Sequence, residues 1–153
     1  MKMKVIIMAG GRGTRISELF PDIPKPLIPI DNIPVLEREI YSLRDQGFTD
    51  IILTVSYLHK KIQKHFGDGS EYGVHISYFV EDVPLGNAGA LFKLRNQLGT
   101  EPFLLLNADA VFCKTFLEKN AELFGEFCIS KLEKIAEVPV GHFLPTGYQC
   151  RHS

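Results

Sequence analysis

The sequence has little of what would mark an extracellular, membrane-bound or nucleic-acid-binding chain. Its three cysteines, Cys113, Cys128 and Cys150, are odd in number and form no CxxC pair. They indicate neither a disulfide framework nor a zinc knuckle, and free thiols in a reducing compartment are the expectation. No apolar run approaches the length that spans a bilayer. The opening MKMKVIIMAGG sets two lysines before an apolar stretch, but that stretch runs only from Val5 to Ala9, too short for a secretory signal core. A cytoplasmic protein with no membrane partner is therefore expected. Net charge is scarce as well: −1 over 153 residues gives nucleic acid no bulk attraction. Internal repeats and low-complexity tracts are lacking.

What is present is an ordinary globular mixture, 45% hydrophobic and 23% charged, at a length that fits one core. The charge is uneven. Residues 1–26 carry five basic side chains (Lys2, Lys4, Arg12, Arg15, Lys25) against two acidic ones (Glu18, Asp22), a local surplus that suits an anionic ligand. Lys4 to Met8 is a short apolar run ending in Gly10 and Gly11, the pattern of a buried parallel strand feeding a glycine-rich loop. Prolines at 21, 24, 26, 29 and 34 exclude a long helix, so residues 9–34 are predicted to be mostly irregular and exposed. A loop of that length usually has a function.

Beyond Pro34 the pattern alternates. Val35, Leu36, Ile40 and Leu43 recur at helical spacing, and Gly47 is a natural stop. Ile51 to Val55 reads as a second strand and Leu58 to Phe66 as a helix with Ile62 and Phe66 on one face. GDGSEYG makes a turn, Val74 to Val80 a third strand, and Leu85 to Leu98 contains a helix with Ala88, Leu91, Phe92, Leu94 and Leu98 inward. Phe103 to Leu106, apolar without interruption, is a fourth strand buried on both faces. Such alternation implies right-handed crossovers and a parallel sheet, with ligands outside the carboxyl ends of the strands. Composition changes after about Phe112: all seven aspartates precede that point and all three cysteines follow it. Residues 1–112 are therefore taken as one α/β part and 113–153 as a divergent tail, helical from Phe116 to Phe127 and irregular beyond.

Gly10, Gly11 and Gly13 directly after a strand let several backbone N–H groups point into one concavity, which holds phosphate oxygens without side chains. Arg12 and Arg15 add fixed positive charge. The spacing fits neither familiar phosphate loop. The Walker pattern needs GK[ST] where Gly13-Thr14-Arg15 stands, and the dinucleotide pattern needs a glycine where Ile16 stands. Pro24-Lys25-Pro26 holds a lysine between two rings that restrict its backbone, so its ammonium can be aimed at a phosphate; a plain surface lysine is the other reading. At the end of the fourth strand, Asp109 in Asn107-Ala108-Asp109 offers a hard carboxylate oxygen for magnesium, or a helix N-cap. Glu81, taken alone, reads as a solvated residue at a strand end.

IIMAGGRGTRI followed by PKPLIPI resembles the signature of the sugar-1-phosphate nucleotidyltransferases, a family with a Rossmann-like, GT-A-like α/β fold in which helices flank a mainly parallel sheet. The likeness covers roughly residues 3–112, and YFVEDVPLGNAGAL resembles the family's base-binding stretch, particularly in guanylyltransferases of mannose-1-phosphate and heptose-1-phosphate type. It implies that a nucleoside triphosphate and a sugar 1-phosphate are the partners and Mg2+ the cofactor. Ala9, Gly10, Gly11, Arg12, Gly13 and Thr14 would meet the nucleotide, and Glu81 and Gly86 the base. Arg15 would face the departing pyrophosphate, Lys25 the transferring phosphate, and Asp109 the metal. A carboxylate at 81 suits guanine, whose N1–H and 2-amino group both donate. The resemblance also implies a chain that continues further, with a sugar pocket and a second magnesium-binding aspartate, whereas no aspartate follows Asp109 here. The expectation is a GTP-favouring nucleotidyltransferase, truncated relative to the family, that turns over slowly on its own. The alternatives are a non-catalytic nucleotide-binding or regulatory module, or an inactive shortened form, of the same fold. A dinucleotide-binding oxidoreductase is disfavoured by Ile16. His59, His65 and His75, widely spaced, are expected to be structural or exposed, and nothing in the sequence sets the oligomeric state.

Overall fold

The computed structural model describes residues 3–11, 19–83 and 86–108. The predicted tail, 113–153, lies outside the described residues. Strand β1, Lys4–Met8, is followed by a one-turn 3-10 helix, Lys25–Leu27, and by a small antiparallel hairpin of β2, Pro29–Ile30, and β3, Ile33–Pro34. Helix α1 is Val35–Asp45, β4 Asp50–Val55 and α2 His59–Phe66. A second 3-10 turn, Ser70–Tyr72, precedes β5, His75–Val80; α3, Gly86–Leu98, leads into β6, Phe103–Asn107. The predicted order of elements is therefore the observed one, with boundaries shifted by a residue or two.

The long strands form one parallel sheet in the order β5-β4-β1-β6. The chain steps outward from β1 to β4 and β5, then crosses through α3 to the far side of β1, so the direction of winding reverses between β1 and β6. Side-chain parity assigns the faces. Val5, Ile7, Ile51 and Leu53 pack with Leu36 and Ile40 of α1 and Ile62 and Phe66 of α2. Ile6, Ile52 and Phe103 pack with Leu91, Leu94 and Leu98 of α3. Both faces of β1 and β4 are thus covered, which is why these strands read as continuous apolar runs rather than alternating ones.

Two expectations are corrected. The first is one of detail: the described residues of 9–34 are mostly irregular, as their prolines suggest, but they are not uniformly exposed. Ala9, Pro24, Pro26 and Ile28 are buried, and the Asp31-Asn32 turn, with both φ values positive (49° and 64°), closes the hairpin. Such a turn matches the twist of the flanking strands, and Asp and Asn tolerate it. Phe92 is only half-buried and carries the Arg95 guanidinium 3.9 Å from its ring centre, while Ala90 takes the inward place beside Leu91 and Leu94. Positions 90 and 92 lie on nearly opposite sides of the helix, so the outward place of Phe92 follows once Ala90 faces in.

At the outer edge of the sheet Tyr78 donates its hydroxyl hydrogen to Gly67 O at 2.7 Å. Burial, reinforced by Tyr72 and Asp68 nearby, pushes its phenol up to about 12. The neutral ring is the one the fold favours. Its contribution is complete below the ordinary tyrosine value of 10.0 and is lost as pH rises from there to about 12. An absorbance titration of the folded protein should show a tyrosine component near pH 12 that vanishes in Tyr78→Phe; an unchanged curve would refute the assignment.

Candidate functional site

Where the winding reverses, between β1 and β6, a doubly wound sheet has its ligand crevice at the carboxyl ends of the strands. A cleft of about 330 Å³ occupies that place. Its floor is the end of β1 and the start of the glycine loop, Met8 to Gly11, with Asn107 and Ala108 from β6 alongside. Lys25 and Pro26 form one wall; Glu81, after β5, and Gly86, opening α3, complete it. Backbone bonds lock these chain ends together: Ala9 N donates to Thr54 O at 2.8 Å, Glu81 N to Val55 O at 2.8 Å, and Ala108 N to Met8 O at 3.2 Å.

The structure brings Ala9, Gly10, Gly11, Lys25, Glu81 and Gly86 together at this one cleft. Arg12, Gly13, Thr14, Arg15 and Asp109 lie outside the described residues. Glycine at 10 has a specific cause. A Cβ there would sit 3.2 Å from Glu81 Oε2 and 3.5 Å from Ser56 Cβ, so any side chain would press on the carboxylate. The chain segments that follow β1, β4 and β5 therefore meet at Gly10. Glu81 is 8% exposed, which overturns the solvated strand-end reading. An acidic side chain is rarely so buried without a reason in its surroundings.

Lys25 owes its position to its neighbours. Pro24 and Pro26 are buried, and Leu27 N bonds Pro24 O at 2.8 Å, so the turn is anchored on both sides while the lysine between them stays partly open to the cleft. The cleft thus has a cation on one side and an anion on the other, over a floor of backbone from which side chains are largely missing. That arrangement accepts a ligand with a phosphate end and a hydrogen-bond-donating end. Two neighbours of the site escaped the sequence reading, Ser56 and Asn107. Both stand at the carboxyl end of an apolar strand, and that position in a parallel sheet was the available signal.

His59, His65 and His75 are not among the residues lining the cleft. His59 Nδ1 lies 3.0 Å from Ser56 O, His65 Nε2 3.0 Å from Glu37 Oε2, and His75 Nδ1 3.6 Å from Asp50 Oδ1 at the opposite end of the sheet. Among the described residues no three His, Cys, Asp or Glu side chains gather closely enough to hold a metal ion. Nor, among those residues, is any helix long and apolar enough to cross a membrane.

Residues 4–127 match the model of the nucleotidyl transferase family. D-glycero-alpha-D-manno-heptose 1-phosphate guanylyltransferase of Aneurinibacillus thermoaerophilus is 36% identical over 110 residues, covering 72% of this chain and 47% of the relative. N-acetylmuramate alpha-1-phosphate uridylyltransferase of Neisseria meningitidis is 37% identical, covering 71% and 48%. Among solved structures, HddC from Yersinia pseudotuberculosis complexed with GMP-PN superposes with a TM-score of 0.65 at 32% identity, covering 77% of this chain and 54% of that one. The chain spans about half the length of these two curated relatives and about a third of that of others it matches.

Proposed function

This chain belongs to the nucleotidyl transferase family, and from that premise we propose that its cleft holds a nucleoside triphosphate, GTP in preference, for attack by a sugar 1-phosphate. An oxygen of the sugar phosphate forms the new bond to the α-phosphorus, the bond to the β-phosphate breaks, and pyrophosphate leaves with a nucleotide sugar as the other product. The observation that carries this reading is the junction of Lys25, the glycine loop and Glu81 at the reversal point of the sheet. Phosphoryl and nucleotidyl transfers need alignment and charge neutralisation more than an acid or a base. A backbone floor and a fixed lysine supply both.

In this reading Gly10 and Gly11 give the ligand close access to backbone N–H groups, Lys25 takes the transferring phosphate and Glu81 the guanine edge. Arg15 is assigned to the departing pyrophosphate. Mg2+ is assigned to Asp109, where it would neutralise phosphate charge and hold the phosphates in place. Relatives named for guanylyl and uridylyl transfer match about equally well, so family membership leaves the base open and the preference for guanine rests on Glu81. Release of pyrophosphate from GTP and a panel of sugar 1-phosphates tests for turnover and separates it from nucleotide binding alone.

The binding step is tested by thermal unfolding with GTP, ATP, dTTP, CTP and UTP, since a ligand that binds only the native state raises its melting temperature. Lys25→Ala is expected to weaken GTP about tenfold, the loss of one charge-assisted contact in a partly solvated position, at the low end of roughly 1.5–3 kcal/mol. GTP binding to the variant as tightly as to the parent would remove Lys25 from the phosphate site.

A further inference from the structure

Lys25 is held from both sides along the chain. On its carboxyl side Ile28 O accepts from Val35 N at 3.2 Å, which ties the turn to the start of α1. On its amino side Asp22 O accepts from the Lys61 ammonium of α2. Among the described residues this is the one hydrogen bond that joins 19–23 to a helix or strand. We infer that Lys61, which is not among the residues lining the cleft, is a positioning residue. It clamps the proline loop onto α2 and so sets where the Lys25 ammonium stands. The inference rests on the nucleotide-binding reading of the cleft.

The place of Lys61 on its helix supports this. It lies in the first turn of α2, where the partial positive charge of a helix start disfavours a cation, and no acidic side chain in that turn offsets it. The Asp22 carbonyl compensates a lysine that the helix itself disfavours. The link from that carbonyl to Lys25 is short and stiff. Only Ile23 and Pro24 intervene: Pro24 is buried with φ −64°, and a residue before proline has a restricted backbone of its own. A shift at Asp22 is therefore passed on to Lys25 rather than absorbed. The other end of the clamp is firm as well. Ile62, next to Lys61, and Phe66 pack into the core against the sheet. Helix α2 begins three residues after Ser56, whose Cβ faces Gly10. Lys61 thus joins the lysine wall of the cleft to the segment behind its glycine floor.

Titration of GTP into four variants, with their melting temperatures recorded, tests the clamp. Lys61→Met keeps the length of the side chain and removes its donor; it should weaken GTP about fivefold, the effect of one hydrogen bond from a charged donor at an exposed position. Lys61→Arg can still donate to the carbonyl and should keep most of the parent affinity. Lys64→Met removes the same charge from the same helix at an exposed position and should bind GTP like the parent. Adding Lys61→Met to Lys25→Ala should cost nothing further, because the clamp acts only through Lys25. Equal weakening in Lys61→Met and Lys64→Met would reduce the effect to long-range charge and overturn the inference. So would an undiminished loss in the Lys25→Ala background, which would mean that Lys61 meets the nucleotide itself, or no loss in Lys61→Met at all. A parent that binds no GTP would instead refute the proposed function, and the inference would fall with it.

Discussion

Glu81→Gln is expected to lower affinity for GTP about a hundredfold and to leave UTP within a few-fold of its parent value, so that the preference for guanine all but disappears. Guanine offers two parallel donors, N1–H and the 2-amino group, and a carboxylate accepts both with charge assistance. Glutamine keeps the shape but replaces one acceptor by a donor, which faces a guanine donor and loses a contact worth roughly 1.5–3 kcal/mol. Because Glu81 is buried against Gly10, the cost is not diluted by water as it would be on a surface. Uracil presents a single N–H between two carbonyl oxygens, so it gains little from a carboxylate and gains something from an amide. Titration calorimetry with both nucleotides reads the ratio directly. Equal weakening of GTP and UTP would mean that Glu81 shapes the glycine loop and does not choose the base.

The sheet was legible because its strands are buried on both sides. Val5, Ile6 and Ile7 are all fully buried, and only such a position yields an uninterrupted apolar run followed by glycines. Helix α1 was legible for a different reason: Leu36, Ile40 and Leu43 mark its buried face, and Gly47, at φ 86°, ends it where Phe48 N reaches back to Leu43 O at 2.9 Å. The Glu81 environment was not legible in composition or period. It depends on two chain segments seventy residues apart meeting at one point, and a glutamate after a strand looks the same in sequence whether water or Gly10 lies beside it. Asn107 stayed hidden behind its more conspicuous neighbour Asp109, although both follow the same apolar run. The hairpin was missed because its strands are two residues each, too short for alternation to show.

Gly69→Ala is expected to destabilise the fold by about 2–5 kcal/mol, although residue 69 is remote from the cleft. Two costs combine there. Gly69 has φ +85°, where an L side chain is strained by roughly 1–2 kcal/mol. An added Cβ would also stand 2.7 Å from Ile76 Cγ1 and 2.9 Å from Val74 O; crowding of that kind costs roughly 1–3 kcal/mol more, and here one of the obstructing atoms is backbone. The backbone has little room to yield. Gly69 O accepts from Tyr72 N at 3.0 Å and Val74 N at 3.1 Å, and Asp68 O accepts from Ile76 N at 2.7 Å. Ser70, through its side chain and backbone N–H, holds the Asp68 carboxyl below the usual carboxylate range, which fixes the turn further. Gly47→Ala separates the two costs, because Gly47 has nearly the same φ, +86°, with open space around its missing Cβ, and should lose only the strain of about 1–2 kcal/mol. The turn at Gly69 delivers β5 into register with β4, Ile76 beside Ile51, and five residues beyond Ile76 the chain places Glu81 at the cleft. Below its melting temperature Gly69→Ala should therefore bind nucleotide less well if the strand slips, and as well as the parent if the turn alone distorts. Chemical denaturation of both variants measures the energies, and equal destabilisation by the two substitutions would show that crowding by Val74 and Ile76 adds nothing to the cost of the positive φ.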